Sequence, residues 1–148
     1  MDKNFKIAAR LIILKNDKIL LCEMWDVWWL PGWQVEWWEN IIDTLKRESV
    51  EELWIEAIFD EVAFTQDYID IDQNIHCLEY FCLIKNDNDF KQVVNTYHNS
   101  SHAHELYDLQ WFDMNSIPIT MMPQNFLPTL NEIINNRIDF KFRYISQI

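Results

Sequence analysis

The sequence predicts an α/β domain in which a mixed β-sheet is sandwiched by helices. Three observations predict it. The chain has 148 residues, 49% of them hydrophobic, enough for one core and little for two. Four apolar, β-branched runs (5–15, 18–23, 75–85 and 106–113) read as strands. Two stretches, 40–53 and 126–136, carry apolar residues at helical spacing.

In chain order, Phe5 to Lys15 (FKIAARLIILK) reads as a strand, and Asn16-Asp17 as a turn. Lys18 to Glu23 then reads as its hairpin partner. Met24 to Gly32 carries no regular pattern and ends in Leu30-Pro31-Gly32; Gln34 to Glu36 has room for a short strand. Asn40 to Leu53 is the strongest helix, with Asn40 or Asp43 as N-cap. Its apolar stripe is Ile42, Leu45, Ser49 and Leu53, and Glu48, Glu51 and Glu52 form the neighbouring stripe. Ile55 to Ile71 holds strand-like stretches broken by acidic residues. Ile75 to Lys85 reads as a buried strand, 86–89 as a turn, Tyr97 to His104 as a polar loop and Leu106 to Asp113 as a strand. Ile117-Pro118 and Met122-Pro123 break the chain. Phe126, Leu130 and Ile133 mark a second helix, and residues 138–148 show no assignable pattern. No linker or repeat divides residues 1–148, so one domain is expected.

The net charge of −12, from 24 acidic and 12 basic residues, argues against nucleic-acid and anionic-membrane partners. A small anionic substrate needs a divalent cation to neutralise its contact with such a surface. Cys22, Cys77 and Cys82 are odd in number and form no CxxC pair; buried, reduced thiols of a cytoplasmic protein are expected. Residues 1–4 lead into a strand-like segment without a signal-peptide layout, and no apolar run reaches transmembrane length, so neither a leader nor a membrane span is expected. The oligomeric state stays open, a homodimer included.

Glu48, Glu51 and Glu52 crowd three like charges on one helical turn. Arg47 can pair with Glu51 but leaves excess negative charge, for which a hard cation such as Mg²⁺, or Mn²⁺ in its place, is the natural compensation. By itself such a cluster is more often a solvated acidic face. The surrounding spacing decides otherwise. From Trp33 the chain reads W-QVEWW-E-NIIDTLK-RE-S-V-EE-L-W-I. This resembles the Nudix box, G-x5-E-x7-R-E-U-x-E-E-x-G-U with U aliphatic. Glu39, Arg47, Glu48, Glu51, Glu52 and Ile55 fall in place, and Leu30-Pro31-Gly32 resembles the usual approach. The departures are Ser49 at the aliphatic position and tryptophan at 33 and 54; Trp38 stands where glycine also commonly precedes the first glutamate. Two preceding strands and a following strand ending in Trp111-Phe112-Asp113 are similar to the family too.

The resemblance implies a Nudix-like α/β/α sandwich and Mg²⁺-dependent hydrolysis of the diphosphate linkage in a small nucleotide substrate: a nucleotide sugar, ADP-ribose or a nucleoside triphosphate. It implies metal binding by Glu48, Glu51, Glu52 and the Gly32 carbonyl, with Glu39 and Arg47 fixing loop against helix. Glu48, Glu52 and Glu105, the last similar to an acidic residue of MutT-type members, are the candidates for activating water.

Gly32 is the only glycine, where average usage of about 7% predicts roughly ten, and seven of eight tryptophans fall between positions 25 and 54. Tryptophan in a left-handed backbone costs about 1–2 kcal/mol or more. Either the loop is degenerate, leaving a non-catalytic nucleotide-binding domain, or Trp33, Trp38 and Trp54 are glycines, written as tryptophan because UGA means glycine in the source lineage. Survival of every charged box residue favours recoding. Gly32, Trp111 and one of Trp28 and Trp29 are then ordinary codons.

His98, His102 and His104 share the polar loop without a zinc signature. Phe64, Tyr68 and Tyr80 offer rings for stacking on a base, although strand aromatics are more often core.

Overall fold

A computed structural model describes residues 4–118, 120–121, 127–135 and 143–147. Its strands are β1 (Asn4–Ile12), β2 (Leu14–Lys15), β3 (Lys18–Met24), β4 (Val27–Trp29), β5 (Phe59–Asp70), β6 (Ile75–Ile84), β7 (Asp108–Asp113) and β8 (Arg143–Gln147). Helices are α1 (Ile41–Leu53), the short α2 (Val93–Thr96) and α3 (Leu127–Asn135).

The strands form two four-stranded sheets rather than one. In the first, ordered β1-β6-β5-β8, β6 runs parallel to β1 and antiparallel to β5, and β8 runs parallel to β5. In the second, β3 lies between β4 and β7 and also pairs with β2. The expected hairpin of the first run therefore exists only as β2–β3, turned at Asn16 with φ 55°. The main length of that run goes to β6 instead. From Ala8 onward its residues are buried on both faces, which suits a parallel neighbour.

Two clusters of buried side chains explain the layering. On one face of β1, Ala9, Leu11 and Ile13 pack with Leu45 and Leu53 of α1 and Leu109 of β7. On the other, Ile12 and Leu14 pack with Phe64, Phe81, Leu21 and Leu130 of α3. The period-2 alternation of β1 thus sends successive residues to opposite layers, and the α/β/α sandwich is as expected.

Helix α1 starts where predicted. Asn40 accepts from the Asp43 N–H at 3.0 Å while Asp43 accepts back from the Asn40 N–H, a reciprocal capping box. Leu45, Ser49 and Leu53 are buried, but Ile42 is exposed, because the apolar stripe begins only one turn inside the helix. Ser49 tolerates burial at an aliphatic position through two bonds: its Oγ donates to the Lys46 carbonyl and accepts from the Ala57 N–H, at 3.0 and 2.9 Å.

Elsewhere, the 55–71 stretch contains one strand, β5 (Phe59–Asp70), with two register shifts. Tyr97 of the polar loop is buried. Residues 143–147, which showed no pattern, form β8. Phe126, Asn136 and the break at 122–123 lie outside the described residues, as does the side chain of Ile133. All three cysteines are free and buried. No helix among the described residues is long and apolar enough to cross a membrane.

Candidate active site

The loop from Leu30 to Trp33 lies along β1. The N–H groups of Leu11 and Ala9 donate to the carbonyls of Pro31 and Trp33 at 2.8 and 2.9 Å. The intervening carbonyls, of Leu30 and Gly32, accept from the Arg10 guanidinium. Gly32 has φ 103°, and a Cβ there would collide with the Ala9 carbonyl oxygen. This close approach is why one glycine is obligatory.

The predicted residues meet where this loop crosses α1. The Gly32 N–H donates to Glu52 Oε2 at 3.0 Å. Arg47 grips Glu39 with two bonds, Nε to Oε1 at 2.6 Å and Nη2 to Oε2 at 3.0 Å, and also donates to the Gln34 carbonyl. Glu39 takes further bonds from the Thr44 hydroxyl and the Glu36 N–H. These donors hold its carboxyl near 2, far below the usual carboxylate range. Glu39 and Arg47 are thus paired, joining the segment before α1 to the helix.

Arg47 Nη1 also donates to Glu48 at 2.7 Å and to Glu51 at 2.9 Å. Glu48 and Glu52 are buried. Burial raises both carboxyls, and Glu52 is pushed up to about 7, first by desolvation and then by the charge of Glu48. Glu48 has Arg47 as its ion-pair partner, whereas buried Glu52 makes no ion pair among the described residues and takes its bond from the Gly32 N–H.

Among the described residues, no three acidic, histidine or cysteine side chains converge as a metal cluster. Arg47 draws Glu48 and Glu51 to itself, and Gly32 holds Glu52. The donor set still fits a hard divalent cation. Glu48, Glu51 and Glu52 each engage one carboxylate oxygen in these bonds, and the other takes no hydrogen bond among the described residues. The Gly32 carbonyl spends one lone pair on Arg10 and keeps a second.

Glu105 is exposed, in a 3-10 turn, and near enough for its charge to raise Glu52. Between Glu105 and the helix stands His102, which the sequence placed only in a polar loop with His98 and His104. Its Nδ1 is 3.5 Å from Glu51 Oε2 and 3.8 Å from Glu105 Oε1, and its N–H donates to the Glu51 carbonyl. Ser100 donates to the Glu52 carbonyl. A histidine three residues before an acid was the available signal, but nothing in the spacing tied that loop to α1. Of the candidate stacking rings, Phe64 lies stacked on Phe81 in the core, Tyr80 packs against the core, and Tyr68 bonds Asp70.

The tryptophans divide into two sets. Trp28, Trp29 and Trp111 pack against the core clusters. Trp25, Trp33, Trp37, Trp38 and Trp54 are exposed, from 40% at Trp33 to 89% at Trp37. Trp54 has φ 65° and caps α1 in the left-handed conformation, its N–H bonded to the Val50 carbonyl. Trp33 and Trp38 lie outside that region, whereas Trp25, with φ 52°, lies inside it.

A family model for the NUDIX domain matches residues 5–133. Among solved structures, a MutT NUDIX hydrolase from Burkholderia pseudomallei superposes with a TM-score of 0.69 at 19% identity, covering 88% of this chain and 98% of that one. An ADP-ribose pyrophosphatase from Streptococcus suis gives 0.66 at 19% identity, covering 94% and 98%. A MutT protein from Methanosarcina mazei gives 0.64 at 14% identity, covering 93% and 98%. At these identities the likeness is one of fold. No curated protein matches the chain.

Proposed function

From the premise that this chain belongs to the NUDIX family and is a Nudix pyrophosphohydrolase, we propose that it hydrolyses the diphosphate linkage of a nucleoside diphosphate derivative with Mg²⁺. The observation that carries this reading is the trio of Glu48, Glu51 and Glu52 on neighbouring turns of α1, each with one carboxylate oxygen that takes no hydrogen bond among the described residues, and with Glu52 bonded to Gly32. Glu48, Glu51, Glu52 and the Gly32 carbonyl would hold the cation, with Mn²⁺ as substitute. When bound, it supplies polarisation of phosphoryl oxygens and a lowered pKa for an attacking water.

The chain's own groups do the rest. Glu39 and Arg47 fix the loop against α1. Glu105 is the favoured proton acceptor, since it is exposed and lies outside the Arg47 cluster; Glu48 and Glu52 are the alternatives. Candidate substrates are nucleotide sugars, ADP-ribose and oxidised nucleoside triphosphates.

The second reading is a non-catalytic nucleotide-binding domain, favoured by the exposed tryptophan rings around the loop. It requires real tryptophan at 33, 38 and 54; under the first reading these are glycines in the native product. A Mg²⁺-dependent release assay over the three substrate classes tests both, with the chain as written and with glycine at 33, 38 and 54. Turnover abolished by Glu52→Gln is the expected result. No turnover in either form overturns the enzyme reading.

A further inference from the structure

Beyond the residues of the box, two charged side chains among the described residues, Arg10 and Glu79, are buried without an assigned role. Arg10 is 3% exposed on β1, on the same face of the strand as Ile12. Its Nε donates to Glu79 Oε1 at 3.2 Å, and Glu79 Oε2 accepts from Gln66 Nε2 at 3.2 Å. Both partners are also buried. Its Nη1 donates to the carbonyls of Leu30 and Gly32. With the N–H groups of its neighbours Ala9 and Leu11 on Pro31 and Trp33, residues 9–11 hold four consecutive loop carbonyls. The last link is the Gly32 N–H on Glu52.

Resting on the hydrolase reading above, we infer that Arg10 is a positioning residue. Anchored by Glu79 and Gln66, it sets the Leu30–Trp33 loop so that Gly32 orients Glu52 for the reaction. A guanidinium is required because its planar fork serves a carboxylate and two carbonyls together, which an ammonium on a flexible stem does not. A buried arginine kept only for stability would be a poor device, since apolar replacement of a whole buried pair is often neutral or better.

The test uses Arg10→Lys, the paired variant Arg10→Met/Glu79→Leu, and Glu79→Gln. The paired variant removes both charges, so no carboxylate is stranded in the core. Expected for Arg10→Lys and the pair is a fall in kcat of roughly 20-fold or more, with KM within about threefold of wild type, as for a transition-state-only loss. Glu79→Gln, whose amide oxygen still accepts from Nε, should lose less. Full kcat in the paired variant, or a loss confined to KM, overturns the positioning role; the latter makes Arg10 a substrate ligand. In the chain as written Gly32 is the only glycine, so ¹⁵N-glycine labelling of that form yields a single backbone amide signal. That signal should shift in Arg10→Lys and in Glu52→Gln. An unmoved signal in Arg10→Lys overturns the proposal even if wild type turns over no substrate, an outcome that by itself would sink only the hydrolase reading.

A different observation carries a second inference. Met24 pairs with Val27, so Trp25-Asp26 is a two-residue hairpin turn, with φ 52° and 61°. Positive φ at both central positions is the type I′ turn, which takes Gly, Asn or Asp. The geometry points to glycine at position 25 of the native product, a further recoded site alongside 54. Sequencing the coding DNA should find UGA at 25 and 54 but UGG at 28, 29 and 111, where the rings pack. A UGG codon at 25, or tryptophan mass at that position in the native protein, overturns it.

Discussion

The backbone N–H of Gly32 meets the carboxylate of Glu52 at 3.0 Å, joining the obligatory glycine of the loop to a buried acid of the helix. Gly32 and Glu52 are 20 residues apart in the chain, and this bond ties the loop to the last turn of the helix.

Glu52→Gln should keep that bond, since its amide oxygen still accepts, while losing the anionic donor. Turnover should fall about 100-fold or more, the scale of a lost acid–base or metal group, with loss of metal affinity. Glu105→Gln should cut turnover comparably and leave metal affinity nearly unchanged. Titration of Mn²⁺ binding beside steady-state rates separates the two.

Adding Mg²⁺ should raise the melting temperature, because a ligand bound only by the folded state stabilises it. Metal-free Glu48→Gln should melt higher than metal-free wild type, as a buried charge is removed, and gain less from Mg²⁺. Equal melts with and without Mg²⁺ would favour a solvated acidic face.

Glu39 predicts the acid limb of stability. Its folded pKa of about 2 lies below the unfolded value of about 4.3. The unfolded state therefore binds the proton first, and the stabilisation is present above about pH 4.3 and lost as pH falls toward 2. Denaturant midpoints measured from pH 5 to 2 should fall less steeply for Glu39→Gln than for wild type.

Trp54→Gly and Trp25→Gly should each stabilise the chain by about 1 kcal/mol, by relieving a left-handed backbone. Trp38→Gly gains nothing of this kind, since its φ is ordinary. Urea midpoints of the three variants check the contrast.

Ser49→Val restores the aliphatic residue the box prefers but should destabilise by about 1–3 kcal/mol, because the Ala57 N–H loses its buried acceptor. A thermal melt decides it.

The missed elements have physical causes. Strand β4 went unread because Trp25-Asp26 carries no turn signal; glycine in place of Trp25 would have announced the hairpin. Strand β8 borrows its order from β5, which periodicity in 143–147 does not reveal. The turns at 97–105 lack a stripe of their own, and are fixed by bonds from Ser100 and His102 to the end of α1.

What is local and periodic in this fold was legible from the order of residues. The capped helix α1 is one such feature, as are the strand character of β1, β3, β6 and β7, and the spacing that puts Glu39, Arg47 and three more glutamates within reach of each other. Helical and extended periods are properties of neighbouring residues, so they are legible in one dimension. Only the tertiary structure decided that β1 pairs with β6 rather than β3, that His102 reaches Glu51, and that Arg10 stands behind Gly32. Those relations join residues 20 to 70 positions apart, and the burial that selects them exists only after the sheets have packed.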